Sequence, residues 1–235
     1  MRAASAARGI FVTGTDTGVG KTYVAAALLR SFVAAGGRAV GMKPVAAGVD
    51  PGAAVNADVA ALIAAGNVSA VLADVNPFAF TPAIAPHVAA RGAGRAIDID
   101  RIAAAYEALA RDADLVVVEG AGGALVPLDE RNDMLDIAAR LRLPVLLVVG
   151  VRLGCLNHAL LSAVAIRARG LELAGWVANR IEPAMAAAGE SVAALDARLA
   201  APRWGDLPWQ SKAADTALLS LPTAWRPRRG GAGGN

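Results

Sequence analysis

Short apolar runs alternate along the chain with longer segments dominated by alanine and leucine. The runs at residues 9–13, 38–43, 114–119, 144–149 and 173–178 predict strands. The longest of them, "DLVVVEG" and "LPVLLVVGV", have the length and composition of strands covered on both faces of a parallel sheet. The intervening segments predict helices that begin near Thr22, Asn56, Asp100, Met134, Leu156 and Pro183. Strand and helix in alternation imply right-handed βαβ units and one open, mainly parallel sheet with helices on both faces. Residues 66–95, rich in proline, alanine and glycine, read as a long irregular connection with one short helix around "PHVAA".

Ligands of such sheets sit beyond the carboxyl ends of the strands. The polar residues fall there: "TGTDTGVGKT" follows the first run, "KPVAAGVD" ends the second, "EGAGG" the third and "NR" the last. Neither a repeat nor a linker divides the chain. Residues 1–221 therefore read as a single α/β domain, and residues 222–235, basic and glycine-rich, as a disordered tail.

Composition narrows the possibilities. A length of 235 residues supports one substantial core. The apolar fraction of 56% is high, but no run approaches the length of a membrane span. The start of the chain has no apolar segment long enough for a signal peptide. The lone Cys155 excludes an internal disulfide framework and fits a reducing cytoplasm. The net charge is only +3, and much of the basic excess lies in the tail, which argues against a nucleic-acid partner.

The first loop carries the chemistry. Glycines let backbone N–H groups point inward around a phosphate, and a following helix N-terminus favours the anion. In such a loop a lysine reaches the β- and γ-phosphates and the next hydroxyl meets Mg²⁺. Gly20-Lys21-Thr22 supplies these groups at a strand-to-helix junction. The usual glycine five positions before Gly20 is Thr15 here, and Gly14 lies one position further back, so the loop is a variant. It places the sheet among P-loop NTPase-like folds. Glu119 closes an apolar strand where the magnesium of a bound nucleotide would be held. Lys43, immediately before Pro44, reads either as a lysine aimed into the same crevice or as one snorkelling at a strand end. Asp58 reads equally as a first-turn residue stabilised by its helix dipole. His87 and His158 show no metal spacing with each other or with Cys155, and no Ser/His/Asp arrangement is evident.

Taken in order, "FVTGTDTGVGKT", "GMKPVAAG", "VNPFAF", "VVVEGAGGALVPL", "LPVLLVVGVRLGCLNHALL", "LAGWVANRI" and "LPW" closely resemble the dethiobiotin synthetase family of biotin biosynthesis. The resemblance runs from Gly9 to Trp209. It implies a cytoplasmic, homodimeric enzyme that uses MgATP and CO₂ to convert 7,8-diaminononanoate into dethiobiotin through a carbamate and a carbamic–phosphoric anhydride. By the same resemblance, Lys21, Thr17 and the amides of Gly18, Val19 and Gly20 would hold the phosphates. Thr22, Asp58 and Glu119 would hold Mg²⁺, Lys43 would face the carbamate, and Gly120, Ala121 and Gly122 would approach the ligands. Asn179 and Pro208 would form the base pocket. Gly154, Cys155, Leu156 and Asn157 would take the substrate carboxylate of the neighbouring subunit. Two departures from the family pattern stand out: Ala47 replaces a serine or threonine that touches the substrate, and Gly18 replaces a common glutamate.

The rival within the same fold is a dimeric ATPase switch of the chromosome- and septum-partitioning kind. Those proteins carry an extra lysine early in the phosphate loop, which "GTDTGVG" lacks. A GTP switch would need an Asn-Lys-x-Asp motif, and "ANRIEP" does not supply one.

Overall fold

The computed structural model describes residues 8–49, 52–53, 55–209 and 219–227. Six strands form a parallel sheet: β1 (Arg8–Gly14), β2 (Ala39–Met42), β5 (Leu115–Gly123), β6 (Val145–Val151), β7 (Leu173–Arg180) and β8 (Arg203–Leu207), in the order β2-β5-β1-β6-β7-β8. Two further strands, β3 (Val45–Ala47) and β4 (Phe78–Phe80), pair in parallel as a small separate sheet.

Strand side chains alternate between faces, and the two halves of the core show which helices receive them. Ile10, Val12, Leu115, Val117, Leu146 and Val148 pack with α1 (Lys21–Ala34) and α2 (Ala57–Ala65). The intervening Phe11, Val116, Val118, Val145, Leu147 and Val149 pack with α5 (Ile99–Ala110), α6 (Met134–Leu141), α7 (Cys155–Ala168) and α8 (Ala188–Arg198). Both faces are covered, as the uninterrupted apolar runs require.

The connection at residues 66–95 is more ordered than expected. It contains α3 (Leu72–Val75), β4 and α4 (Pro86–Gly92), the last being the short helix anticipated at "PHVAA". The sixth helix starts at Ala188 rather than at Pro183, because residues 183–187 are turn and α8 begins only after Ala187, which has a left-handed φ of 54°. β8 had no counterpart in the sequence reading: only Trp204 and Leu207 of its five residues are buried.

Of the residues expected to form the tail, Pro222 to Pro227 are described. Thr223–Trp225 make a short 3-10 turn, and the Trp225 ring lies 5.4 Å from that of Trp204. Residues 228–235 lie outside the described residues.

Candidate nucleotide and substrate site

The phosphate loop leaves the carboxyl end of β1, between β5 and β6. Gly20 caps α1 with φ 86° and without a side-chain cap, and the first turn of α1 carries no acidic residue. The helix therefore presents its N-terminal amides and positive dipole end without competition from its own side chains. A Cβ at Gly20 would come within 2.2 Å of Asn179 Nδ2, so close approach as well as backbone sign demands glycine here. Asn179 is buried at the end of β7, and its Nδ2 donates to the Val19 carbonyl at 2.9 Å, bracing the loop from behind. Pro208 directly follows Leu207, the register partner of Asn179, and is exposed.

Glu119 comes into the site by register. It pairs with Val12 on the neighbouring strand and is fully buried. Its Oε1 accepts from the Thr22 hydroxyl at 2.8 Å and from Lys43 Nζ at 2.5 Å. Its Oε2 is buried with no protein partner. Lys43 follows β2, is 4% exposed, and also donates to Asp58 Oδ2 at 2.9 Å. The snorkelling reading of Lys43 is thereby excluded. Asp58 sits in the first turn of α2, as the simpler reading had it, and meets Lys43 as well.

Two side chains to which sequence reasoning assigned no role in the site, Asn56 and Asn76, set this geometry. Asn56 caps α2 by accepting from the Asp58 N–H at 2.9 Å and donates to the Gly48 carbonyl at 3.2 Å. Asn76 donates to the Lys43 carbonyl at 2.6 Å, while the Lys43 N–H donates to Val75. An asparagine before an apolar helical run, and another before a proline in "VNPF", were the available signals. A third unassigned contact is the 2.6 Å ion pair of Arg152 with Asp16, whose other carboxylate oxygen accepts from the Thr17 N–H.

Charge in the site is balanced, and Lys21, Lys43 and Glu119 are buried while the Asp58 side chain is 44% exposed. Burial pushes the Lys21 ammonium down to about 8, with Lys43 adding repulsion, and its Nζ donates to the Asp16 carbonyl at 2.9 Å. For Lys43 burial acts in the same direction, but the carboxylates of Glu119 and Asp58 outweigh it and hold the amine above its usual range. Burial raises Glu119, and Lys43 only partly offsets this. Asp58 pays less for burial and is held below its usual range by Lys43.

A cavity of about 720 Å³ opens over these groups. Thr17, Gly18, Gly20, Lys21, Thr22, Lys43, Ala47, Asp58, Glu119, Ala121 and Gly122 all line it, and Ala83, Ile84, Ala85 and Pro86 add an apolar stretch to the lining. Val19 contributes its carbonyl to Asn179 and buries its side chain in the core. The Gly120 carbonyl lies 3.4 Å from Lys43 Nζ. Gly154, Cys155, Leu156 and Asn157 are not in this cavity; they begin α7, beyond β6, with Cys155 buried and Asn157 exposed.

A glycine-bearing loop on the end of a central parallel strand, a Lys-Thr pair opening the next helix and a carboxylate on the adjacent strand define a nucleotide-binding α/β protein of the P-loop class. The MinC:MinD cell division complex of Aquifex aeolicus has this fold, with a TM-score of 0.54 at 19% identity over 88% of this chain and 83% of that one. So does the signal recognition particle receptor FtsY of Elizabethkingia anophelis, with a TM-score of 0.50 at 18% identity, over 96% of this chain but only 63% of the receptor. A family model described as an AAA domain matches residues 8–217. The ATP-dependent dethiobiotin synthetase BioD of Nitrosospira multiformis is 53% identical over 91% of this chain and 94% of its own length. That of Pseudomonas aeruginosa is 51% identical over 89% and 93%. The chain belongs to the dethiobiotin synthetase family.

Proposed function

We propose that the protein is an ATP-dependent ligase that carboxylates 7,8-diaminononanoate with CO₂ and closes the ring to dethiobiotin, releasing ADP and phosphate. The observation that carries the reading is the convergence of Lys21, Thr22, Lys43, Asp58 and Glu119 on one cavity whose lining also includes the apolar stretch from Ala83 to Pro86. The charged groups suit a triphosphate, and the apolar stretch suits an aliphatic chain ending in a diamine.

In this reading one amine of the substrate takes up CO₂ as a carbamate, and a carbamate oxygen attacks the γ-phosphorus of ATP. The second amine then attacks the carbonyl of the resulting mixed anhydride and expels phosphate. No protein nucleophile is needed. The chain must bring two anions into line and offset their repulsion. Lys21 and the amides of residues 18–20 hold the phosphates, Lys43 faces the carbamate, and Thr17 orients the transferring group. Gly120, Ala121 and Gly122 let backbone approach the ligands, and Asn179 with Pro208 forms the base pocket.

Thr22, Asp58 and Glu119 would hold Mg²⁺. The donors are hard oxygens, and the unpartnered Glu119 Oε2 is a fitting ligand atom. Among the described residues no cluster of three His, Cys, Asp or Glu side chains could hold a metal by itself. That suits an ion that draws its remaining ligands from phosphate and water. Bound there, the ion would neutralise phosphate charge.

The homodimer reading is supported by α7 and its approach, where Leu153, Leu161 and Val164 are 89%, 59% and 64% exposed. Such an apolar face suits a second copy, which would carry Gly154, Cys155, Leu156 and Asn157 to the neighbouring substrate carboxylate. A cytoplasmic location accords with a described structure in which no helix is long and apolar enough to cross a membrane.

The deciding experiment measures phosphate release from MgATP in bicarbonate buffer with and without the diamine, and follows dethiobiotin by mass. Release that depends on the diamine and matches product is expected. Slow release indifferent to the diamine would refute the reading and favour the ATPase switch.

A further inference from the structure

Lys43 does more than wait for a carbamate. Its ammonium touches a carboxylate oxygen of both acidic residues read above as metal ligands, at 2.9 Å from Asp58 and 2.5 Å from Glu119. The same Glu119 oxygen also receives the Thr22 hydroxyl. A divalent ion drawing on Thr22, Asp58 and Glu119 can take the free Glu119 Oε2, but it enters beside this ammonium and competes with it for the same two carboxylates.

We propose that Lys43 is an exchangeable cation: it neutralises the metal site until magnesium arrives with nucleotide, and the metal's entry releases it toward the substrate. This rests on the ligand assignment made under the proposed function and adds to it an order of events.

Charge balance supplies the reason. Two carboxylates, buried Glu119 and the half-exposed Asp58, face two buried ammonium groups, Lys21 and Lys43. Magnesium without phosphate would add two uncompensated positive charges there, beside lysines buried to 6% and 4% exposure. The phosphates that accompany MgATP restore the balance and give Lys21 an anionic partner in place of the Asp16 carbonyl. Glu119 would meanwhile never stand uncompensated in the core: its partner is Lys43 before nucleotide binds and the metal afterwards. The exchange also times the chemistry, since Lys43 becomes available to a carbamate only when metal and nucleotide are both present.

The full sequence contains three lysines, Lys21, Lys43 and Lys212, so a lysine-selective ¹³Cε label gives a three-signal spectrum assignable with Lys43→Arg. In the wild-type protein, millimolar Mg²⁺ alone should leave the Lys43 signal in place. Mg²⁺ with a non-hydrolysable ATP analogue should shift it. A second measurement titrates Mn²⁺ by electron paramagnetic resonance at pH 8. Lys43→Gln, which keeps an amide between the two carboxylates but no charge, should bind Mn²⁺ at least tenfold more tightly than wild type in the absence of nucleotide. With the analogue present the difference should shrink to less than threefold.

Equal Mn²⁺ affinities without nucleotide, or a Lys43 signal unmoved by Mg²⁺ and analogue together, overturns the exchange. Asp58→Asn separates this failure from that of the underlying assignment. If Asp58→Asn leaves Mn²⁺ affinity with the analogue unchanged, the metal ligands themselves are misassigned. If it weakens that affinity while Lys43 behaves as a bystander, only the exchange is refuted.

Discussion

Replacing Lys21 by methionine should stabilise the fold while abolishing use of ATP. The lysine is 6% exposed, and its protonated form is disfavoured by burial first and by Lys43 second, which brings its pKa from 10.5 to about 8. At about 1.4 kcal/mol per pH unit, that lowering is a penalty of about 3 kcal/mol for carrying the charge at pH 7. Methionine fills a similar volume and removes the penalty, but it forfeits the hydrogen bond to the Asp16 carbonyl, worth about 1 kcal/mol. The net gain is about 2 kcal/mol at pH 7.

The sign of the pH dependence follows. Between pH 8 and 10.5 the folded lysine loses its proton while the unfolded one keeps it, so wild-type stability gains as pH rises through that window. At pH 9 the charge penalty is down to about 2 kcal/mol, and the advantage of the variant falls to about 1 kcal/mol. Urea unfolding followed by fluorescence of the buried Trp176 and Trp204 measures both values. A variant no more stable than wild type at pH 7, or an advantage that does not narrow at pH 9, would refute the claim that Lys21 is held in the site against its own solvation.

Lys43→Ala should act in the opposite direction, because it strands Glu119 in the core: a loss of about 3 kcal/mol in thermal or urea unfolding and a drop of at least about 10²-fold in kcat. Near-normal turnover would remove Lys43 from the mechanism. Gly20→Ala should cost about 1–3 kcal/mol and weaken ATP at least tenfold by equilibrium binding, since φ 86° and the Asn179 amide both oppose a Cβ. Gly18→Ala, with φ 74° but open space around it, should be milder; equal effects would mean that contact with Asn179 is unimportant. Ala47→Ser should lower the KM for the diamine, as Ala47 faces the cavity without a hydroxyl; an unchanged KM would show that another group supplies the contact. In the homodimer proposed above, Leu161→Asp should convert dimer to monomer in sedimentation; a wild type that sediments as a monomer would refute the dimer, and an unaltered dimer mass in the variant would move the interface away from α7.

Much of this protein was legible as local pattern. A strand buried on both faces must be an uninterrupted apolar run, so β1, β5, β6 and β7 could be read to within a few residues. Gly20-Lys21-Thr22 announces itself because a glycine-rich turn, a cation and a hydroxyl must be adjacent to cradle a phosphate at a helix start. Glu119 is conspicuous because a carboxylate in such an apolar run has no packing purpose, although the strand does not end there as the run suggested but continues through "GAGG" to Gly123. These are requirements on neighbouring residues, and sequence order records them directly.

What the sequence left open depends on neighbours far along the chain. β3 and β4 are three residues each, too short for any period, and exist because Val45 and Phe78 find each other as parallel partners. β8 is half exposed and owes its place to β7. Lys43 and Asp58 each had an unremarkable reading until packing closed the distances between Lys43, Asp58, Glu119 and Thr22. The brace from Asn179 to the Val19 carbonyl spans 160 positions. Local pattern records that a charge exists and roughly where its element ends. Only the packing of the sheet decides which opposite charge it meets, and burial then decides how strongly each holds its proton.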